Sequence, residues 1–350
     1  MSRETDVRDA FRAQIKAATD LGSPFVARLS RLAAERLDHR TQVGRALLDW
    51  PGDASINNDL VPARFAGCLH ALVLSGQDEP LKAFYPPHES TDDRLWQAVE
   101  NAFEAHGDFI IERLQSAPQT NEIRRCNALL PGFLTIAQLF GKPLDLLEVG
   151  ASAGLNLQWD RYHYDLGGFA WGDPASPVHL KPEWQGPPPP DADITIASRL
   201  GCDLNPLDVT SKDDRLRLMS YVWADQPDRM QRLTAALDLA VADPPPVERA
   251  DALEWLPREL MKPATGNVRV IYHSIAWQYL PANLRARGEA TIAEAGKRAT
   301  NDHPLARLQM EADDKPDGAT ISLQIWPGGE IRELGRVDFH GRWVKWKGWE

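Results

Sequence analysis

An eleven-residue stretch, LDLLEVGASAG at residues 144–154, constrains this chain more than any other. It reads as an apolar strand with an acidic residue, Glu148, near its end, then a turn framed by Gly150 and Gly154. A strand running through a tight glycine turn into a helix aims unpaired backbone N–H groups at whatever lies above the sheet edge. LNLQWDRY, residues 155–162, supplies the expected helix. The patterning of the chain changes at this point. Upstream, apolar residues recur at helical spacing. Val7, Phe11 and Ile15 form one stripe. Phe25, Leu29, Leu32 and Ala33 form another behind a Ser23-Pro24 start, and Phe65, Leu69 and Leu72 a third after Pro62. A long helix is expected over 91–114, and another over 120–140 that bends or breaks at Pro131. No strand is expected before Leu144.

Downstream, short apolar runs fall at 144–149, 194–199, 268–274, 305–310, 319–326 and 331–345. Helical stretches at 214–219, extending toward 242, and at 283–299 separate several of them. Such alternation predicts an α/β domain with a mainly parallel sheet and helices on both faces. The expected organisation is a helical N-terminal cap over 1–141, then the α/β domain over 142–350. Residues 163–192, rich in Gly, Pro and Trp, read as an insertion, and Pro327-Gly328-Gly329 as a hairpin turn.

Composition narrows the function classes. The net charge of -11 removes any global attraction to nucleic acid or to an anionic membrane, so neither is expected as a partner. Cys68, Cys126 and Cys202 are too widely spaced for a disulfide framework or a zinc pattern, and the nine histidines show no metal-ligand spacing. The polar MSRETDVRDAFRAQ start lacks the apolar run of a leader, and no run approaches the roughly 20 residues of a membrane span. A cytoplasmic protein with no metal is expected.

Three chemistries use a turn like the one at 150–154. Gly150-Ala151-Ser152-Ala153-Gly154 fits a Gly-x-Ser-x-Gly nucleophile elbow literally, with Ser152 as attacking hydroxyl and His303 or His340 as downstream base. The elbow of such hydrolases follows several strands, however, and the chain before 144 is helical. A dinucleotide fingerprint needs glycine at 150, 152 and 155, and Ser152 and Leu155 break it. The third chemistry is carried by four segments in order.

Those segments resemble the S-adenosylmethionine (SAM)-dependent methyltransferases of the Rossmann-like class. Residues 144–154 resemble the first motif through Glu148, Gly150 and Gly154, with Ser152 where the middle glycine is usual. RLGCDLNP, 199–206, supplies the Gly201 and Asp203 of the second strand's end, and a carboxylate there accepts both ribose hydroxyls. Ala250-Asp251-Ala252 resembles the third signature. The resemblance implies that Asp251 accepts from the adenine amino group while the N–H of Ala252 donates to the ring. VRVIYHSIAWQYL, 268–280, resembles the fourth and brings His273, Ser274, Trp277 and Tyr279 to the mouth of the sheet. The closing pair of strands resembles the class's reversed hairpin. A Rossmann-like fold, SAM as cofactor and in-line methyl transfer to a small-molecule acceptor are what the resemblance implies.

Further residues follow from that frame, each with a plainer alternative. Arg125 pairs the cofactor's carboxylate, or simply lies on a solvated helix face. Asn156 meets the ligand or satisfies the start of the helix. Trp159, Tyr162 and Trp277 line the acceptor pocket or pack on the sheet. His273 is the candidate general base, with Tyr279 as the second catalytic candidate. The chain is also similar to a group of uncharacterised bacterial proteins, DUF2332, through QTNEIRRCNALLPG (119–132), GASAGLNLQWDRYHYDLGG (150–168), DLNPLD (203–208) and LQIWPGG (323–329). That likeness implies a methyltransferase-like fold with no assigned substrate. A serine hydrolase and a non-catalytic ligand- or partner-binding protein on the same fold are the rivals.

Overall fold

A computed structural model describes residues 2–263 and 266–349 of the chain. In chain order, the helices before the first strand are α1 (Arg3–Asp20), α2 (Pro24–Arg36), α3 (Gln42–Leu48), α4 (Val61–Leu74), α5 (Glu79–Lys82), α6 (Asp92–Ala105), α7 (Gly107–Leu114) and α8 (Cys126–Phe140). Then come β1 (Leu144–Val149), β2 (His163–Leu166), β3 (Phe169–Trp171), β4 (His179–Leu180), β5 (Glu183–Gln185) and β6 (Ile196–Asp203). After α9 (Lys212–Ser220) and α10 (Pro227–Ala242) follow β7 (Val247–Arg249), α11 (Ala252–Leu260), β8 (Val268–Ser274) and α12 (Ala282–Lys297). The chain closes with β9 (Leu305–Ala312), β10 (Ala319–Trp326), β11 (Glu330–Val337) and β12 (Trp343–Trp346). It divides into two compact units, one of residues 1–120 and 211–234, the other of 121–210 and 235–350.

The first unit is helical among its described residues. Ser23 accepts the N–H of Val26 and Pro24 opens α2, which removes one orphan donor and presets the backbone. The stripe this helix buries includes Phe25, Leu29, Leu32 and Ala33. Phe65 of α4 sits edge-on between Phe11 (5.4 Å) and Phe103 (6.2 Å). The single helix expected over 91–114 is two. His106 leaves the helical well at φ −126°, and Gly107 begins α7 beside the side chain of Gln42. The helical stretch expected over 214–242 also divides, α9 stopping at Ser220 and α10 starting at Pro227.

The second unit is an α/β structure around a large, mostly parallel sheet of order β5-β12-β11-β10-β9-β8-β1-β6-β7. β1 is parallel to both β6 and β8, β6 to β7, and β8 to β9. The β9-β10-β11-β12 run is antiparallel, and Pro327-Gly328-Gly329 joins β10 to β11 as expected of a hairpin. Residues 163–192 form a separate three-stranded sheet, β3-β2-β4, and then β5, which pairs with β12 at the edge of the main sheet.

Period-two patterning sorts the two faces. Leu147, Val149, Ile271, Leu305 and Trp326 pack with Trp255, Leu256, Ile292 and Ala295 of α11 and α12. On the other face Gly132 of α8 lies directly on Leu308, and Phe133 meets Tyr272 edge-on at 5.1 Å and stacks on Trp159 at 4.5 Å. From β1 the chain steps outward to β6 and β7, then returns to β8 and β9 on the opposite side. Register aligns the carboxyl ends: Val149 opposes Cys202, Asp203 opposes Arg249, and Glu148 opposes Tyr272. In open α/β sheets, a crevice opens where neighbouring strands depart in opposite directions, and ligands bind there.

Candidate functional site

The turn after β1 is built from left-handed residues: Gly150 at φ 72°, Ser152 at 55° and Gly154 at 73°. The glycines are also sterically required. A Cβ on Gly150 would stand 2.6 Å from that of Ala276, and one on Gly154 2.7 Å from Pro245 Cγ. Ser152 has no such licence and bears the left-handed strain of roughly 1 kcal/mol. Hydrogen bonds hold it there. The N–H groups of Gly150 and Ala151 donate to Cys202 O (2.9 and 3.0 Å), and that of Ser152 donates to Asp203 Oδ2 at 2.9 Å. Asp203 Oδ1 accepts from Asn205 N at 2.8 Å. Each oxygen of that half-buried carboxylate thus takes one backbone N–H and retains accepting capacity. Ser152 Oγ is buried and has no hydrogen-bond partner.

Beneath the turn, Glu148 is 2% exposed, and burial drives its carboxyl well above the usual carboxylate range. Tyr272 Oη lies 3.3 Å from both Glu148 Oε2 and the Asn156 carbonyl. Asn156 is itself buried, its Oδ1 accepting from the Cys126 thiol at 3.3 Å. The segment after the glycines is a 3-10 helix over Leu155–Arg161, kinked at Gln158, not the α-helix expected. Tyr162 and Tyr164 donate their hydroxyls to the carbonyls of Leu155 (2.6 Å) and Trp159 (2.7 Å), which caps it short.

Arg125 donates through Nη1 to Ser274 O at 2.9 Å and through Nε to Phe339 O at 3.3 Å. Asn121 is buried and accepts from Leu155 N at 3.0 Å. Trp159 and Tyr162 are fully buried, and Trp159 is sandwiched by Phe133 and Trp171. Asp251 is exposed beyond the end of β7 and caps α11 by accepting from Leu253 N at 2.8 Å, with Ala252 as the first helical residue.

His273, at the end of β8, is fully buried. Its Nδ1 lies 2.6 Å from Glu311 Oε1, while Arg307 Nε and Nη2 approach its Nε2 at 3.2 and 3.1 Å. A guanidinium only donates, so Nε2 accepts and Nδ1 carries the proton: a neutral imidazole of fixed tautomer. Burial lowers its pKa, the neighbouring Glu311 only partly opposing this. Trp277 stacks on His273 at 5.1 Å, lies under Arg307 at 4.8 Å, and donates Nε1 to Glu289 at 2.7 Å. Tyr279 projects to solvent, 68% exposed. Register and hydrogen bonding therefore bring Glu148, Gly150, Ser152, Gly154, Asn156 and Asp203 together. They bring His273 and Trp277 into a second cluster with Arg307, Glu311 and Glu289, three residues the sequence reading passed over. Charged residues inside an apolar strand run, such as Arg307 and Glu311 in LARLQMEA, are the signal that points to them.

Among the described residues no group of three or more His, Cys, Asp or Glu could hold a metal ion, and no helix is long and apolar enough to cross a membrane. No curated protein and no solved structure matches the chain. A family model described as an uncharacterized protein conserved in bacteria, DUF2332, matches residues 8–346, so that the chain, matched over nearly its whole length, belongs to that family.

Proposed function

We propose that the sheet unit binds S-adenosylmethionine in the crevice at the carboxyl end of β1 and transfers its methyl group to a small-molecule acceptor. The observation that carries this reading is the clasp between Asp203 Oδ2 and Ser152 N at 2.9 Å. It fixes a carboxylate at the tip of the second parallel strand beside a left-handed glycine turn, where a ribose diol needs an acceptor and a close backbone. The strand order β7-β6-β1-β8-β9 supports the reading, because it is the doubly wound arrangement with its reversal at β1. β10 runs antiparallel to β9, in keeping with the reversed strand of the methyltransferase class, and β11, β12 and β5 extend the sheet past it.

The residues fit such a ligand. Asp203 keeps accepting capacity on both oxygens, and Ser152 Oγ is an orphaned buried hydroxyl. Asp251 and the N–H of Ala252 are the adenine-side candidates. The bound cofactor would supply an electrophilic methyl group. The protein's own residues then orient the reactants and exclude water. His273 is not asked to take a proton in this reading, since Nδ1 and Nε2 are both engaged. A hydrolase has less support: no base sits against Ser152 Oγ.

Calorimetric titration with SAM and with S-adenosylhomocysteine tests the proposal. Saturable binding of either at a dissociation constant below about 1 mM is expected. Absence of binding by both at millimolar concentration defeats it. Binding without methyl transfer to any member of an acceptor panel points to the non-catalytic alternative.

A further inference from the structure

β8 leaves the sheet through a backbone that few residues tolerate. Ile275 sits at φ 49°, a left-handed conformation that a β-branched side chain adopts only under constraint. The turn it begins abuts the glycine turn, since Gly150 has room for no Cβ beside Ala276. Two strained turns, at Ser152 and Ile275, therefore meet where the strand order reverses.

What constrains the second turn is one carboxylate near the end of β9. Glu311 Oε1 accepts from the N–H groups of Ala276 and Trp277, each at 3.1 Å, and Oε2 from that of Gln278 at 3.3 Å. Its fourth donor is His273 Nδ1. Burial alone would raise the Glu311 carboxyl; the hydrogen bonds from His273 and the turn overcome this and keep it below its ordinary value. The same turn is gripped elsewhere. Arg125 holds Ser274 O, Gln278 Oε1 accepts from Ala312 N at 3.0 Å, and Trp277 is wedged against Gly288 of α12. His273 is held in turn by Arg307, which pairs with Glu289 through two contacts.

A buried charged cluster is a poor source of stability, because removing the ions from water offsets most of their attraction, and an apolar packing of equal volume does as well. Its return lies in fixing one geometry. We infer that Glu311 is a positioning residue: through three backbone N–H groups and His273 it locks the turn over 275–279 against the glycine turn, and so sets the shape of the crevice in which the ligand lies. The part of this inference that concerns the ligand rests on the SAM reading above.

The test combines amide hydrogen exchange on the ligand-free protein with calorimetry using S-adenosylhomocysteine, on wild type, Glu311→Gln and Asp203→Ala. Glutamine keeps the shape and one acceptor oxygen but offers the turn an NH2 group in place of the other. Glu311→Gln is expected to unfold cooperatively, to exchange the amides of 275–279 about tenfold faster or more while β8 stays protected, and to bind S-adenosylhomocysteine about tenfold more weakly. Asp203→Ala is expected to lose affinity with unchanged exchange at 275–279. Unchanged exchange in Glu311→Gln overturns the tether. Faster exchange with affinity within about twofold of wild type overturns the positioning role. If wild type itself binds no ligand, the SAM reading fails alone, and exchange still decides whether Glu311 locks the turn. Should Glu311→Gln not fold, Glu311→Asp, which keeps the charge but draws the carboxylate back from the turn by one methylene, must shift exchange and affinity in the same direction, and no shift overturns the inference.

Discussion

Asp203 Oδ2 accepts the backbone N–H of Ser152 at 2.9 Å, which ties the tip of β6 to the most strained residue of the turn after β1. The bond explains how a serine occupies a left-handed position that favours glycine. A charge-assisted hydrogen bond contributes about 1.5–3 kcal/mol, enough to offset the strain. It also holds the carboxylate in place, so that in the SAM reading little ordering remains to be done on binding.

Replacing that carboxylate therefore tests its place in the site. In the SAM reading, Asp203→Ala should weaken S-adenosylhomocysteine binding by roughly 1.5–3 kcal/mol, about 10- to 150-fold, through loss of the ribose acceptor. Asp203→Asn, which retains one acceptor oxygen, should lose less. Equal affinity of wild type and Asp203→Ala in calorimetry removes Asp203 from the site.

Ser152 carries a buried hydroxyl with no partner, a liability in the ligand-free protein. Ser152→Ala should leave stability unchanged or raise it by up to about 1 kcal/mol, as read by denaturant unfolding. In the SAM reading the same variant binds S-adenosylhomocysteine more weakly, because the ligand gives that hydroxyl its partner. Stability and affinity moving in opposite directions is the expected signature. Fluorophosphonate labelling of wild type that disappears in Ser152→Ala would instead establish the nucleophile elbow.

What was legible in the sequence was local. The Ser23-Pro24 helix start, the 144–149 strand with its glycine turn, and the 327–329 hairpin each rest on contiguous residues whose conformational preferences agree. What was hidden depends mostly on partners far along the chain. The apolar stripe runs on through 91–114, while the break comes from His106 alone leaving the helical well. The 3-10 form of residues 155–161 depends on hydroxyls from Tyr162 and Tyr164 that fold back on it. The acidic turn residues Asp203 and Asp251 could be picked out, but the anchoring of the β8 turn could not. Glu311 lies 38 positions from His273 and 34 from Trp277, and only the β8-β9 pairing brings them together.

Glu148 should make stability fall as pH rises. Its carboxyl titrates higher in the folded than in the unfolded chain, because burial disfavours the charged form. The folded state therefore binds the proton more tightly. The resulting stabilisation is fully present below the unfolded value of about 4.3 and is lost as pH climbs toward the folded value. Glu148→Gln lacks this dependence and can still accept from Tyr272. In denaturant unfolding, the variant should gain on wild type by at most about 1.4 kcal/mol per pH unit above pH 4.5, until the folded group ionises. A stability difference that stays flat from pH 5 to 7 would show that Glu148 is not protonated in the folded protein.

His70, in the helical unit, works in the opposite sense. It is 7% exposed, stacks on Tyr85 at 5.9 Å, and its Nδ1 lies 3.2 Å from the Ser220 carbonyl. Burial brings its pKa down to about 4, and the hydrogen bonds to the Ser220 and Val222 backbone only partly offset this. Between pH 6.5 and pH 4 the unfolded chain then holds a proton that the folded chain refuses, so stability drops as the medium is acidified. The loss from this residue alone should reach on the order of 3 kcal/mol at pH 4. His70→Gln keeps a donor for Ser220 and removes the titration. Its stability should therefore decline less between pH 7 and pH 4.5 than that of wild type. Parallel pH profiles for the two proteins would mean that the folded state accommodates a charged imidazole at this position.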